Sequence, residues 1–211
     1  MYKRIIKYYK INGFRKTVGR VPTVFLRSTL LNKYYLYCHD LNNIVETNEN
    51  FSYEVAVKRF VDEINDLENK SLVKNGNREL CEFKLSTRFD KGAYVWFLKS
   101  GGEVLGFIWS IRKKPVSPYF FPLSNHDVHL FDNEIFLDYR GKGLNSILVS
   151  HVLNGLRESG FQSAYIETAI WNTQEQKSLS KMKFEIIGLA RKIALWNRVY
   201  VIWEQIDLIS G

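Results

Sequence analysis

The stretch Tyr139-Arg140-Gly141-Lys142-Gly143 is built to hold an anion. It follows an apolar run, Val128 to Leu137, and precedes Leu144, Ile147, Leu148, Val152, Leu153 and Leu156, which recur at helical spacing. A strand, a basic turn and a helix therefore meet there. The first turn of a helix leaves backbone N–H groups without acceptors and carries the positive end of the helix dipole. Gly141 and Gly143 bring no side chain to hold an anion away, Arg140 and Lys142 add positive charge, and Leu144 and Asn145 open the helix. The chemistry is that of a phosphate cradle. A P-loop would need Gly-x-x-x-x-Gly-Lys and then Ser or Thr, but Lys142 is followed by Gly143 with no earlier glycine in register. A dinucleotide fingerprint would need a third glycine where Ser146 stands.

Arg140-Gly-Lys-Gly-Leu-Asn145 resembles the motif Arg/Gln-x-x-Gly-x-Gly/Ala with which the GCN5-related N-acetyltransferase (GNAT) family wraps the pyrophosphate of acyl-CoA. It matches at Arg140 and Gly143 and departs at Asn145, a residue type that adopts unusual backbone angles more readily than most. Asn172 to Phe184 resembles the downstream family motif, an Asn, a short helix and Lys-x-Gly-Phe. Asn172, Lys181 and Phe184 match in register, and Lys183 replaces the glycine. If that residue must be left-handed, the replacement costs about 1 kcal/mol. The separation of Arg140 from Asn172 suits the family's helix–strand unit. The resemblance covers Tyr94 to about Ile206 closely, Tyr34 to Phe89 loosely, and Met1 to Lys33 not at all.

The resemblance implies an α/β chain with a central mixed sheet flanked by helices, acetyl-CoA or another acyl-CoA as co-substrate, and no metal. An amine would attack the thioester directly. The pantetheine would lie along Ile135, Phe136 and Leu137, where a backbone N–H polarises the carbonyl, with Arg140 to Asn145 on the diphosphate and Asn172 nearby. Asp132 and Glu134 share one strand face by period-two spacing and are the first candidates to accept the amine's proton. Glu167 is a third, and His126 and His129 would act through water. The tyrosine that many members use to protonate the thiolate is replaced by Leu179, which a thiol leaving group tolerates. The expected acceptor is a small-molecule amine, with an amino sugar or other surface-glycan precursor suggested by relatives with basic N-terminal extensions. Two alternatives stay open: a GNAT-fold module that binds CoA without turnover, and a peripheral membrane or complex-docking protein.

The elements that must position these residues follow from pattern. Tyr34 to Leu41 reads as a strand, and Ser52 caps a helix with Tyr53, Val57, Phe60, Ile64 and Leu67 on one face. Ala93 to Leu98 and Val104 to Trp109 form a hairpin about Gly101-Gly102. Lys113 to Asn125 is a loop, Ala164 to Ile170 a strand, and a helix starts near Asn172 with Thr173 and Gln176 at capping-box spacing. Ile186 to Ile206 closes as two β segments about Asn197-Arg198. The tryptophans (Trp96, Trp109, Trp171, Trp196, Trp203) read as core, and His39 and His151 as structural.

The chain has 211 residues, enough for one domain (34–211) with an extension (1–33). Nine bases and no acid precede Asp40, so the net charge of +8 sits in the terminal arm. Bases are not spread across the domain, which argues against a nucleic-acid partner. An arm mixing bases with Ile5, Ile6, Tyr8 and Tyr9 reads as a basic helix to about Asn12 that packs locally, or docks through residues 1–20 on anionic lipid or an acidic partner. No apolar run reaches membrane-span length, and Cys38 and Cys81 form no disulfide framework or metal spacing. The expectation is a cytoplasmic protein, peripheral to the inner membrane face if the arm docks, with a homodimer left open.

Overall fold

The structure, a computed structural model, describes residues 33–43, 53–73, 85–113, 115, 119–195 and 198–206. The basic helix expected over Met1–Asn12, Cys81 and Trp196 lie outside the described residues. One eight-stranded sheet organises the rest: β1 (Lys33–Asp40), β2 (Glu54–Lys58), β3 (Ala93–Ser100), β4 (Glu103–Arg112), β5 (Asp127–Ile135), β6 (Ser163–Ala169), β7 (Glu185–Leu195) and β8 (Arg198–Ile206). Their spatial order is β2-β3-β4-β5-β6-β1-β7-β8. Neighbours run antiparallel except β5 and β6, so the sheet is mixed, as the order of elements required.

Helices cover both faces. α1 (Asp66–Val73) and α2 (residues 85–90) lie on one face, where Ile64, Leu72, Leu85 and Phe89 pack with Phe97, Phe107 and Trp109. α3 (Leu144–Glu158) and α4 (Thr173–Lys181) lie on the other. The predicted periodicity of α3 is realised: Leu144, Leu148, Val152, Leu153 and Leu156 are buried against β4, β5 and β6. Each such side chain contributes about 1.5–3 kcal/mol by leaving water. Gly155 lets the helix sit down on β3, since a Cβ there would come within 2.9 Å of Trp96.

Three expectations are corrected. The stretch after Ser52 is not a helix. Glu54–Lys58 is an edge strand on β3, a 3-10 turn follows at Val61–Glu63, and Phe60 and Leu67 are exposed rather than packed on one face. The helix proper begins at Asp66, capped by Asn65 and Glu68: Glu68 N–H donates to Asn65 Oδ1 at 2.9 Å and Asn65 N–H to Glu68 Oε2 at 2.9 Å. Lys99 Nζ lies 2.5 Å from the buried Glu68 carboxylate and ties α1 to β3. The capping signal at α4 also sits one residue earlier than expected. Asn172 is the N-cap and its Nδ2 donates to Glu175 Oε2 at 2.5 Å, while Gln176 Nε2 donates to the Ala169 and Ile170 carbonyls at the end of β6. Trp171 is exposed, not core; Trp109 is fully buried.

Candidate active-site cleft

The β5–β6 ladder is short. Asp127 to His129 pair with Ser163 to Tyr165, after which β5 continues to Ile135 and β6 to Ala169 without pairing to each other. β6 keeps its ladder with β1 throughout, as Tyr34 opposite Ala169 shows. The sheet therefore opens between β5 and β6, and the backbone edge of β5 beyond His129 faces the opening. His129 marks its base: Nε2 lies 2.8 Å from Glu167 Oε2, and the ring stacks on Phe131 and packs at a tilt against Tyr119.

A bulge shapes β5 where the opening begins. Phe131 stands opposite Trp109 and Glu134 opposite Phe107, so Asp132 and Asn133 together face Ile108. Asp132 has φ +47, a left-handed angle. Directly opposed residues share a face, so Phe131 and Glu134 lie on the α1–α2 side, where Asp132 also meets Arg88 of α2. Asn133 turns to the α3 side and its Nδ2 donates to Asn145 Oδ1 at 2.8 Å. Gly106 allows the close approach, because a Cβ there would meet the Glu134 carbonyl oxygen at 2.6 Å.

From β5 the chain passes through a 3-10 turn, Leu137–Tyr139, into the glycine turn. Gly141 has φ +81, and Gly143, the N-cap of α3, has φ +74; a Cβ on either would meet nothing within 4 Å. Their requirement is the backbone angle, and the space beyond them is open. Arg140 folds back, its Nε donating to the Ile135 carbonyl at 2.8 Å and its Nη2 lying 3.6 Å from Glu134.

Strand, turn and helices enclose a cleft of about 910 Å³. Of the residues singled out from sequence, Asp132, Glu134, Ile135, Arg140, Gly141, Gly143, Leu144, Asn145 and Asn172 line it. Phe136, Leu137 and Lys142 do not. The Phe136 N–H donates to the Leu105 carbonyl at 2.9 Å and its ring packs on Phe107, Leu137 is exposed, and Lys142 lies over the Tyr139 ring. Asn145 occupies an ordinary helical position rather than an unusual backbone angle. Its side chain accepts from Asn133 and donates to Ser178 Oγ at 2.9 Å, joining β5 to α4. Lys183, by contrast, does take the left-handed angle of the family glycine, at φ +59.

Several lining residues escaped sequence reasoning: Arg88, Phe107, Glu175 and Lys177 among them. Lys177 stands one helical turn before Lys181 on α4, a spacing from the motif residue that could have flagged it. Glu175 accepts from Thr168 Oγ1 and Asn172 Nδ2, and burial pushes its carboxyl above the ordinary value. Tyr139 OH donates to Glu103 Oε2 at 2.9 Å, which with burial and the nearby acids raises its pKa and makes it a poor proton donor. Leu179 is fully buried in the α3–α4 core and supplies no acid. His126 is exposed, and burial raises the pKa of the half-buried Cys38 thiol to about 11, which disfavours the reactive thiolate. Among the described residues, no group of three or more His, Cys, Asp or Glu is placed to hold a metal, and no helix is long and apolar enough to cross a membrane.

Residues 60–184, more than half of the chain, match the profile of the Acetyltransferase (GNAT) family. The chain belongs to that family. GNAT members generally transfer an acyl group from acetyl-CoA to amines. The chain is 23% identical over 129 residues to N-acetyltransferase 8B of Rattus norvegicus, covering 61% of this chain and 56% of the relative. It is 26% identical over 116 residues to the protein of that name from Mus musculus, covering 55% and 48%. It thus spans about half the length of these relatives. Among solved structures, it resembles a tandem GNAT protein of the clavulanic acid biosynthesis pathway (TM-score 0.54, 12% identity, 87% of this chain and 57% of that one). It also resembles AAC(6')-Iy in complex with the bisubstrate analog CoA-S-monomethyl-acetylneamine (TM-score 0.50, 16% identity, 69% and 97%). At these identities the likeness is one of fold.

Proposed function

We propose that the protein is an acyl-CoA N-acyltransferase that moves an acetyl or related acyl group onto the primary amine of a small molecule. The observation that carries this reading is the opening between β5 and β6 set against the amides at the start of α3. The residues fit acyl-CoA in three respects. The left-handed Gly141 and Gly143 face open space at a helix N-terminus, which suits a diphosphate. Arg140, Lys177 and Lys181 bring positive charge to the same cleft. Asn133 Oδ1, buried and without a partner among the described residues, is an acceptor for an amide N–H such as pantetheine carries.

In the reaction, the amine nitrogen bonds to the thioester carbonyl carbon, the carbon–sulfur bond breaks, and the sulfur leaves as thiolate. The nitrogen's proton goes to a carboxylate and from there, through water, to the sulfur. Glu134 is assigned that role in preference to Asp132, because Asp132 is held in an ion pair with Arg88 while Glu134 faces Arg140 at a looser 3.6 Å. The Phe136 N–H is spent on Leu105, so the carbonyl's backbone donor is sought upstream, at the bulge.

Calorimetry with acetyl-CoA, followed by thiol release with a panel of amines, tests the reading. Binding with amine-dependent release is expected; absence of affinity for any CoA derivative would sink it. Tight binding with no release from any amine would favour a CoA-binding module, the reading that Leu179 supports. Docking of residues 1–20 on anionic lipid is a separate proposal from charge alone. Equal liposome sedimentation with and without that arm would remove it.

A further inference from the structure

The end of the cleft away from the glycine turn is made by side chains from four elements: Leu72 of α1, Leu85 and Arg88 of α2, Phe107 of β4 and Asp132 of β5. The Arg88 guanidinium lies 4.8 Å from the Trp109 ring centroid and 5.2 Å from that of Phe131, and its side chain is only 17% exposed. The two rings fix the guanidinium and shield it from water, which strengthens its attraction for an anion. Among the described residues, its hydrogen bond is the one from Nη2 to Asp132. A guanidinium carries several N–H groups in one plane, the shape that grips a carboxylate with two parallel bonds. Asp132 is 57% exposed and so has room to turn away.

Charge narrows the choice of guest. Both carboxylates at this end already face an arginine, Asp132 with Arg88 and Glu134 with Arg140. A polycationic amine would meet no uncompensated negative charge there. A zwitterion can instead exchange with the resident pair one for one, its carboxylate taking Arg88 and its ammonium taking Asp132. No charge is then left buried without a partner, a state that is strongly disfavoured. Leu72, Leu85 and Phe107 offer the remainder of the guest an apolar wall.

We propose that the acceptor is an amine bearing an adjacent carboxylate, an α-amino acid with an apolar side chain, selected by Arg88. The inference rests on the acyl-transfer reading above. Asp132 then has a double part, holding Arg88 in the empty cleft and orienting the ammonium in the filled one until Glu134 takes its proton.

The test compares thiol release from acetyl-CoA with L-phenylalanine, its methyl ester and phenethylamine, using the full chain. The latter two keep the amine and ring but lose the carboxylate. The expected kcat/KM for phenylalanine is about 10- to 100-fold above either, the range of a charge-assisted hydrogen-bond pair. Arg88→Gln should abolish that preference with affinity for CoA unchanged by calorimetry. Arg88→Lys, which keeps the charge but not the fork, should restore part of it. Equal turnover of acid and ester, or a preference that survives both variants, overturns the proposal. If no amine is turned over, the acyl-transfer reading falls alone, and binding of N-acetyl-L-phenylalanine against its methyl ester, with and without CoA, decides this inference. Carboxylate-dependent binding that Arg88→Gln removes supports it; equal binding, or none of either, overturns it.

Discussion

The two ends of the cleft are made of different material. At the glycine turn the chain offers main-chain amides, and side chains matter mainly by being absent. At the Arg88 end the surface comes largely from side chains on four elements. On the proposed reading the first end would take the diphosphate of the donor, whereas the second would discriminate among acceptors, since each of its side chains can change without moving the turn. A fold so divided would keep one donor site while its acceptor site varied.

Substitutions at each end should separate donor binding from chemistry. The largest effect is expected at Glu134→Gln, which should lower kcat by about 10²- to 10⁴-fold, the usual contribution of a positioned general base, while affinity for CoA by calorimetry is unchanged. Equal loss of both would show that the two ends are not separable. Gly143→Ala should do the reverse. Forcing a Cβ onto φ +74 costs about 1–2 kcal/mol, so CoA affinity should fall by roughly tenfold with the amine's KM little altered.

Lys183→Gly tests a residue outside both ends. Relief of the left-handed angle should raise stability by about 1 kcal/mol in urea unfolding, with no change in CoA affinity. The smallest effect is a pH-dependent one. Burial raises the folded-state pKa of Glu175, so the folded chain holds this proton to higher pH than the unfolded chain does. Its favourable contribution is complete below the ordinary carboxylate value and disappears as pH rises through the raised one. Glu175→Gln should therefore melt above the parent protein at pH 7, and the gap should close on acidification. A gap independent of pH would show that charge is not its cause.

What could be read from sequence follows the same division. Strand, turn and helix around Gly141 are contiguous, so local pattern revealed them, along with the hairpin at Gly101-Gly102 and the core face of α3. Arg88 lies 44 residues from Asp132, and no local spacing joins them. The bulge at Asp132 was equally silent, because nothing in Phe-Asp-Asn-Glu marks an extra residue until Gly106 and β4 are alongside. The region after Ser52 misled for a third reason. Its apolar residues recur at helical spacing, but Val55 and Val57 gain more from pairing with Leu98 and Trp96 on β3 than from a solitary helix face. Asn145 departs from the family pattern, and the structure gives that departure a purpose in its side chain.

That carboxamide reaches Asn133 at one end and Ser178 at the other, so a single residue behaves as a strut across the mouth of the split sheet. A shorter side chain at this one codon would untie both bonds at once, while the glycines of the neighbouring turn kept their own backbone angles.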